Sequence, residues 1–211
     1  MNKAISLLLG ILFFCNCDAQ FYVEPILGYQ IDLNKNSKLK QLNTAINICW
    51  KARPKYELIL QVQRSWPSSY KSSDPSYTTN PALPVYAAAN KSISPSALSL
   101  LIGHRIKLAG RSSNNSLFVN LSAGVSNQQI KVDYSYDKNN YTILNPDKTV
   151  KETGLYVSGG IEYMRNLKTG RVFTQLLFGG FIHEEINYPN SFYFLVPFSF
   201  NVGYSIPIFK K

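Results

Sequence analysis

Charge, cysteine and histidine are all scarce in this sequence. Asp, Glu, Lys and Arg make up 16% of its 211 residues, against roughly 25% in ordinary soluble domains. Three cysteines and two histidines leave little material for a disulfide framework or an imidazole-rich metal site. Outside the extreme N-terminus no apolar run reaches the 18 or so residues of a membrane-spanning helix, which argues against a helical membrane protein. Aromatic residues are abundant instead: 14 Tyr and 12 Phe in a chain that is 45% hydrophobic. Disordered chains lack such residues, and so little charge is equally out of place in a cytosolic enzyme. The length suits one domain.

Residues 1–19 read as a secretory signal peptide, with Lys3 in the positive region, an apolar stretch from Ile5 to Phe14, and Cys17-Asp18-Ala19 as the cleavage site before Gln20. The apolar stretch is about half of what a span needs. Cleavage removes Cys15 and Cys17, so the mature domain, 20–211, keeps Cys49 alone and can form no internal disulfide despite export. Its stability must come from elsewhere.

The mature chain has a period of two almost throughout. Segments beginning at Phe21, Leu42, Tyr56, Leu98, Leu117, Leu155, Val172 and Phe194 each alternate apolar with small or polar residues, which predicts eight strands. The fifth is expected to continue past an irregularity at 127–129 into Ile130, Val132, Tyr134 and Tyr136. Short links at 53–55, 109–116 and 166–171 alternate with long ones at 34–41, 67–92, 137–152 and 184–191, the longest reading as a surface loop. An even strand number with long loops on one side, and with short turns and both termini on the other, predicts an all-β fold, an eight-stranded antiparallel up-and-down transmembrane β-barrel. A soluble eight-stranded barrel would present the opposite phase to water. That phase carries Gly28, Asn47, Gly103, Ser122, Gly124, Ser158, Gly160, Gly179 and Gly203, which suit a crowded lumen better than a solvated exterior. The apolar phase carries Trp50, Tyr56 and Tyr163 towards the short turns and Tyr29, Trp66, Tyr134 and Tyr136 towards the loops, matching two interfacial aromatic girdles.

In strand pattern, loop alternation and the aromatic last strand from Phe198 to Phe209, the chain resembles the small eight-stranded outer-membrane β-barrel proteins of Gram-negative bacteria, the class of the OmpA barrel and OmpX, over 21–209. The resemblance implies an outer-membrane location after export. It also implies a last strand read by the insertion machinery, although here Lys210 and Lys211 follow the aromatic residue, and no peptidoglycan-binding module after the barrel.

Inward positions place Glu24, Lys51, Glu57, Arg105, Lys107 and Glu162 in the turn-side half of the lumen, with Asn120 and Gln175 available as hydrogen-bond partners. Buried charges need partners, so these six residues are expected to form a plug of ion pairs; a gated ion path is the alternative. Arg53, Lys55, Arg111, Arg165, Lys168, Arg171, Lys210 and Lys211 are expected to form a basic periplasmic rim against phospholipid headgroups, and Lys35, Lys38 and Lys40 could meet lipopolysaccharide phosphates. A net charge of +10 would permit nucleic-acid binding, but export and cations divided between two rims argue against it.

Some barrels of the class it resembles are lipid-modifying enzymes whose lipid-facing His and Ser lie two residues apart. Neither His104 nor His183 reproduces that spacing, and His183-Glu184-Glu185 is a weak cation motif. No catalytic, cofactor or metal residues are therefore assigned. The leading expectation is a non-enzymatic barrel with a closed polar lumen, whose loops, with Tyr70, Tyr77 and Tyr86, contact surface ligands, lipopolysaccharide or a protein. The alternatives are an accessory subunit of an outer-membrane complex, served by the basic rim and the lipid-facing His104 and Arg64, and a narrow pore or lipid enzyme.

Overall fold

Side chains that alternate between two faces, punctuated by turn residues, produce ten strands in the computed structural model, which describes residues 20–32, 40–110, 114–144, 148–182 and 197–208. They are β1 Gln20–Asp32, β2 Lys40–Arg53, β3 Tyr56–Ser65, β4 Tyr70–Thr78, β5 Tyr86–Ala109, β6 Asn115–Ser135, β7 Tyr141–Thr142, β8 Lys148–Asn166, β9 Arg171–Ile182 and β10 Pro197–Pro207. Eight of them close an antiparallel ring, β1-β2-β3-β5-β6-β8-β9-β10, sealed by the pairing of β10 with β1. No helix among the described residues is long and apolar enough to cross a membrane. The signal-peptide segment lies outside the described residues.

The turns follow local chemistry. The β2–β3 link turns at Pro54-Lys55, and β5 ends at Gly110, whose φ of 131° lies in a region open to glycine. The β8–β9 turn is closed by Leu167 N–H donating to the Gly170 carbonyl at 2.7 Å.

Two strands outrun the ring. Pairing between β3 and β5 runs from Tyr56↔Ile106 to Ser65↔Ala97, yet β5 has 24 residues and β6 has 21. Beyond Ala97 the freed edge of β5 is taken by β4, from Tyr70↔Ile93 to Tyr77↔Tyr86, and β7 caps β4 at Tyr77 and Thr78. The segment 67–92 is therefore largely a sheet projecting from the loop end, and not the irregular loop its Ser, Pro, Tyr and Asn content suggests. The expected break at 127–129 is also absent: β6 pairs with β8 without interruption from Asn115↔Arg165 to Val132↔Lys148.

The outer face explains why the pattern changes there. Across neighbouring strands, the outward row Ile46, Val62, Leu100, Val125, Leu155 and the next, Ile48, Leu60, Ile102, Ala123, Val157, are entirely apolar, and their large residues are exposed. One row nearer the loops stand Thr44, Arg64, Leu98, Asn127 and Thr153. Here Asn127 donates to Thr153 Oγ1 at 3.1 Å, Trp66 Nε1 donates to Thr44 Oγ1 at 3.1 Å, and the Arg64 guanidinium lies 4.5 Å from the Trp66 ring centre. Beyond it the outward positions of β5, β6 and β8 are polar, as at Gln129, Lys131 and Lys151, while Ile93, Ile130 and Val150 turn inward and are buried; on β1 and β2 Tyr29, Ile31 and Leu42 remain apolar and exposed. The phase of polarity inverts along a continuous strand.

Inside the ring, glycine makes room for aromatic rings. A Cβ on Gly203 would overlap the Phe173 ring on the adjacent strand, and one on Gly179 would overlap Tyr156. The interior is thus less polar than expected: Ile26, Ala45, Phe118, Met164 and Phe173 form one buried apolar cluster, and Tyr22, Cys49 and Ile59 another. An eight-stranded interior is just wide enough for side chains to fill.

Candidate functional site

Between these clusters sits Arg105, on the inward face of β5 and wholly inaccessible. Its guanidinium binds Glu24 of β1 through two nitrogens, at 2.8 and 3.1 Å, and Glu57 of β3 through Nη1 at 2.7 Å; Nε lies 2.9 Å from Glu162 Oε1 of β8. Phe173 and Phe118 flank it, with ring centres 5.5 and 5.9 Å away. The far oxygen of Glu162 accepts from Asn120 Nδ2 at 2.7 Å and Gln175 Nε2 at 2.6 Å. Four strands that are distant in sequence are tied through one side chain. Isolated charges could not be buried this way, and the bidentate geometry is what makes it tolerable.

Arg171, assigned above to the basic rim, stands inside the lumen instead. Its Nη1 donates to Glu57 Oε1 at 2.6 Å, its Nη2 reaches Glu24 Oε1 at 3.4 Å, and both Nε and Nη2 donate to Ser205 Oγ. The guanidinium covers the Tyr22 ring at 3.8 Å. Arg171 shares the strand phase of Phe173 and Gln175, so it must point inward once β9 begins at its own position. Lys51 and Lys107 do the opposite. Both face inward near the turn end, where they line a cavity with Glu57 and Arg171, but neither lies within ion-pair distance of a carboxylate among the described residues. Lys51 is the cross-strand neighbour of Glu57, yet both Glu57 oxygens are taken by the arginines, Oε1 by Arg171 and Oε2 by Arg105 and Arg171.

Arg53, Lys55, Arg165 and Lys168 are exposed at the turn end; Arg111, Lys210 and Lys211 lie outside the described residues, as do Lys35, Lys38 and the His183-Glu184-Glu185 motif. His104 faces outward and is exposed, with Leu58 and Leu121 as its cross-strand neighbours. Among the described residues no group of three or more His, Cys, Asp or Glu could hold a metal ion.

Towards the loops the lumen changes character. Gln41 Nε2 donates to the Pro95 carbonyl at 2.7 Å, Ser99 Oγ to Ser126 Oγ at 2.8 Å, and Gln30 links Gln41 and Ser65. The space left among them is a cavity of about 20 Å³, no more than a single water requires.

In the projecting sheet Tyr77 and Tyr86 are a cross-strand pair, ring centres 5.3 Å apart and edge to face. Tyr86 and its neighbour Val85 are exposed and Tyr70 is half-buried. Strands β4, β5 and β6 are cross-linked there by Asp74, whose Oδ2 accepts from Lys91 Nζ and from Tyr134 Oη, each at 2.8 Å. Tyr134 thus stands beyond the ring and not in a girdle. Burial pushes the Asp74 carboxyl up, but the two donors outweigh it and hold the group below its ordinary range; the same contacts raise Lys91 against the opposing effect of burial, and Tyr134 is raised by burial and by Asp74. A depressed carboxylate contributes stability above its unfolded value that is lost as pH falls through the folded one. A raised lysine or tyrosine contributes below its unfolded value and loses it as pH rises through the folded one. The cluster is therefore expected to be intact between about pH 4 and pH 10. Carbon-13 titration of the Asp74 carboxyl checks this, and a midpoint at or above about 3.9 contradicts it.

No protein-family model matches the sequence, and no curated protein does. The fold does have solved counterparts. A major outer membrane protein from Thermus thermophilus superposes with a TM-score of 0.53 at 11% identity, over 90% of this chain and 99% of that one. Ail of Yersinia pestis, in complex with the heparin analogue sucrose octasulfate, gives 0.46 at 7% identity over 90% and 97%, and the Neisserial surface protein NspA gives 0.42 at 11% over 90% and 97%. These neighbours are small outer-membrane β-barrel proteins; what the chain shares with the Thermus protein is the fold.

Proposed function

We propose that the chain is a non-enzymatic outer-membrane barrel protein of a Gram-negative bacterium, with a lumen closed by the arginine layer and a sheet held out from the surface to contact external ligands, lipopolysaccharide or a protein. The observation that carries the reading is the inverted outer face. Soluble monomers seldom expose contiguous apolar patches beyond a few hundred Å², whereas here successive apolar rows cross β2, β3, β5, β6 and β8 and give way at the row of Thr44, Arg64, Leu98, Asn127 and Thr153. The pairing of β3 with β5 spans ten residues in each strand, the length a tilted strand needs to cross hydrocarbon. Beyond that row on β5, β6 and β8 water replaces lipid, so polar residues face out and apolar ones in. Arg64 has a stacking partner in Trp66 at this boundary, which accounts for it without a protein neighbour. Phospholipid headgroups meet the exposed Arg53, Lys55 and Arg165 at the other rim.

Cysteines placed at Ala82, in the tip between β4 and β5, and at Lys55, in a short turn, test location and orientation together. On intact cells a membrane-impermeant maleimide is expected to label the first alone, and the second only after the outer membrane is permeabilised. Recovery of the protein in the soluble fraction, or labelling in the reverse order, would overturn the proposal.

A further inference from the structure

The turn-end mouth of the lumen is a cup of about 270 Å³, close to the lower bound of about 300 Å³ for small-molecule sites. Lys51, Lys107, Lys168 and Arg171 line it, and Glu57 is the single carboxylate there among the described residues. That carboxylate is already engaged: one oxygen accepts from Arg171 at 2.6 Å and the other from Arg105 at 2.7 Å. Lys51 and Lys107 consequently line the cavity with no carboxylate in ion-pair range among the described residues. They are on the inward phase of β2 and β5, shared with Cys49 and Arg105, so the ring wall separates them from lipid headgroups that a rim lysine would meet. Ser116 and Asn166 add neutral polar groups to the wall, and Lys168 overhangs from the β8–β9 turn.

We infer that this cup is an anion site, built for a phosphate-bearing group presented at the periplasmic mouth. Two lysines without carboxylate partners, a third on a turn and the edge of a fixed guanidinium offer charge-assisted donors from several directions, the arrangement that suits a tetrahedral multivalent oxyanion. A monovalent carboxylate would engage only part of it. The phosphate can belong to a soluble small molecule or to a headgroup leaning in from the inner leaflet, and the two are separable.

Inorganic pyrophosphate, titrated calorimetrically at low salt into the full-length protein in a maltoside detergent that carries no phosphate, is expected to bind saturably at one site. The double substitution Lys51→Gln with Lys107→Gln should weaken binding by about tenfold or more. Removing the same charge from the outer rim, by Arg53→Gln with Lys55→Gln, should leave it near the wild-type value. Lys51→Arg, which keeps the charge, should retain most of it, and unchanged heat-shifted electrophoretic mobility confirms that each variant is folded. No saturation up to about 10 mM, or equal weakening by the cup and rim pairs, would overturn the inference, since the second result means only a diffuse positive field. Short-chain phosphatidylglycerol that displaces pyrophosphate assigns the site to a lipid headgroup, and failure to displace it assigns it to a soluble phosphate compound. The labelling experiment above can fail without affecting this titration, and the reverse also holds.

Discussion

Replacing Arg105 with methionine is expected to cost the ring about 3–5 kcal/mol, the range found when one partner of a buried ion pair is removed. The residue is wholly inaccessible and touches three carboxylates. Without it Glu24 retains Arg171 and the amide of Asn47, Glu57 retains Arg171, and Glu162 retains the amides of Asn120 and Gln175. Arg105→Lys should recover little, because an ammonium is a point charge and cannot span Glu24, Glu57 and Glu162 as the planar fork does. Adding Glu162→Gln to Arg105→Met should restore part of the loss by removing the charge left most exposed to its own desolvation. Urea unfolding in lipid vesicles, followed by the fluorescence of Trp50 and Trp66, measures all three. A cost below about 1 kcal/mol, the scale of a surface pair, would mean that water reaches the layer and that the lumen is not sealed by it.

How much of this layer is readable without coordinates depends on the residue. Period two places Glu24, Glu57, Arg105 and Glu162 on the inward phase, and charges that must be buried must also meet. Arg171 was open to the same argument through Gln175, two inward positions along β9, but it sits beside a turn, and turn-side arginines read as rim charges. Lys51 and Lys107 show the converse. Their phase is legible, but whether Glu57 chooses Lys51 beside it or the two guanidinia depends on side-chain reach, which no spacing reveals. The aromatic filling of the lumen was signalled only indirectly, by Gly203 and Gly179 standing where Phe173 and Tyr156 need room.

The projecting sheet was hidden for a different reason. Ser76 Oγ, for example, donates to the Ala87 carbonyl at 2.9 Å, and β4 is rich in serine and contains Pro75, a composition that otherwise marks loops. The apparent break in β6 has a physical origin as well. A swap of polar and apolar phases along a sequence can mean a bulge, or a strand leaving one solvent for another. The alternation rule assumes a constant environment on each face, and here the outer face passes from the Val125 row to the Asn127 row without any loss of pairing.

That passage predicts a depth profile. Ile102 is two-thirds exposed, at 66%, and stands midway along the ring portion of β5, with Leu60 and Ala123 beside it. Ile102→Arg should cost about 2–4 kcal/mol if hydrocarbon surrounds it, because the guanidinium must be desolvated or drag water into the bilayer. Leu98→Arg, in the row of Arg64 and Asn127, should cost no more than about 1 kcal/mol, the value for the interface. Lys131→Arg, two rows further out where the side chain is 58% exposed and 3.0 Å from Asp133, should cost almost nothing, since arginine keeps the charge and an exposed pair is worth no more than about 1 kcal/mol. The same urea titration in vesicles gives the three values in order. Its discriminating power lies in the ordering: a water-facing outer surface would accept arginine equally at all three positions, because each is exposed, Ile102 and Leu98 have no charge partner to lose, and an arginine at 131 keeps the charge that faces Asp133. A flat profile would therefore remove the membrane from the proposal while leaving the ring, the arginine layer and the basic cup where they are. A graded one would locate the edge of the bilayer at the row where threonine, arginine and asparagine replace isoleucine, leucine and valine.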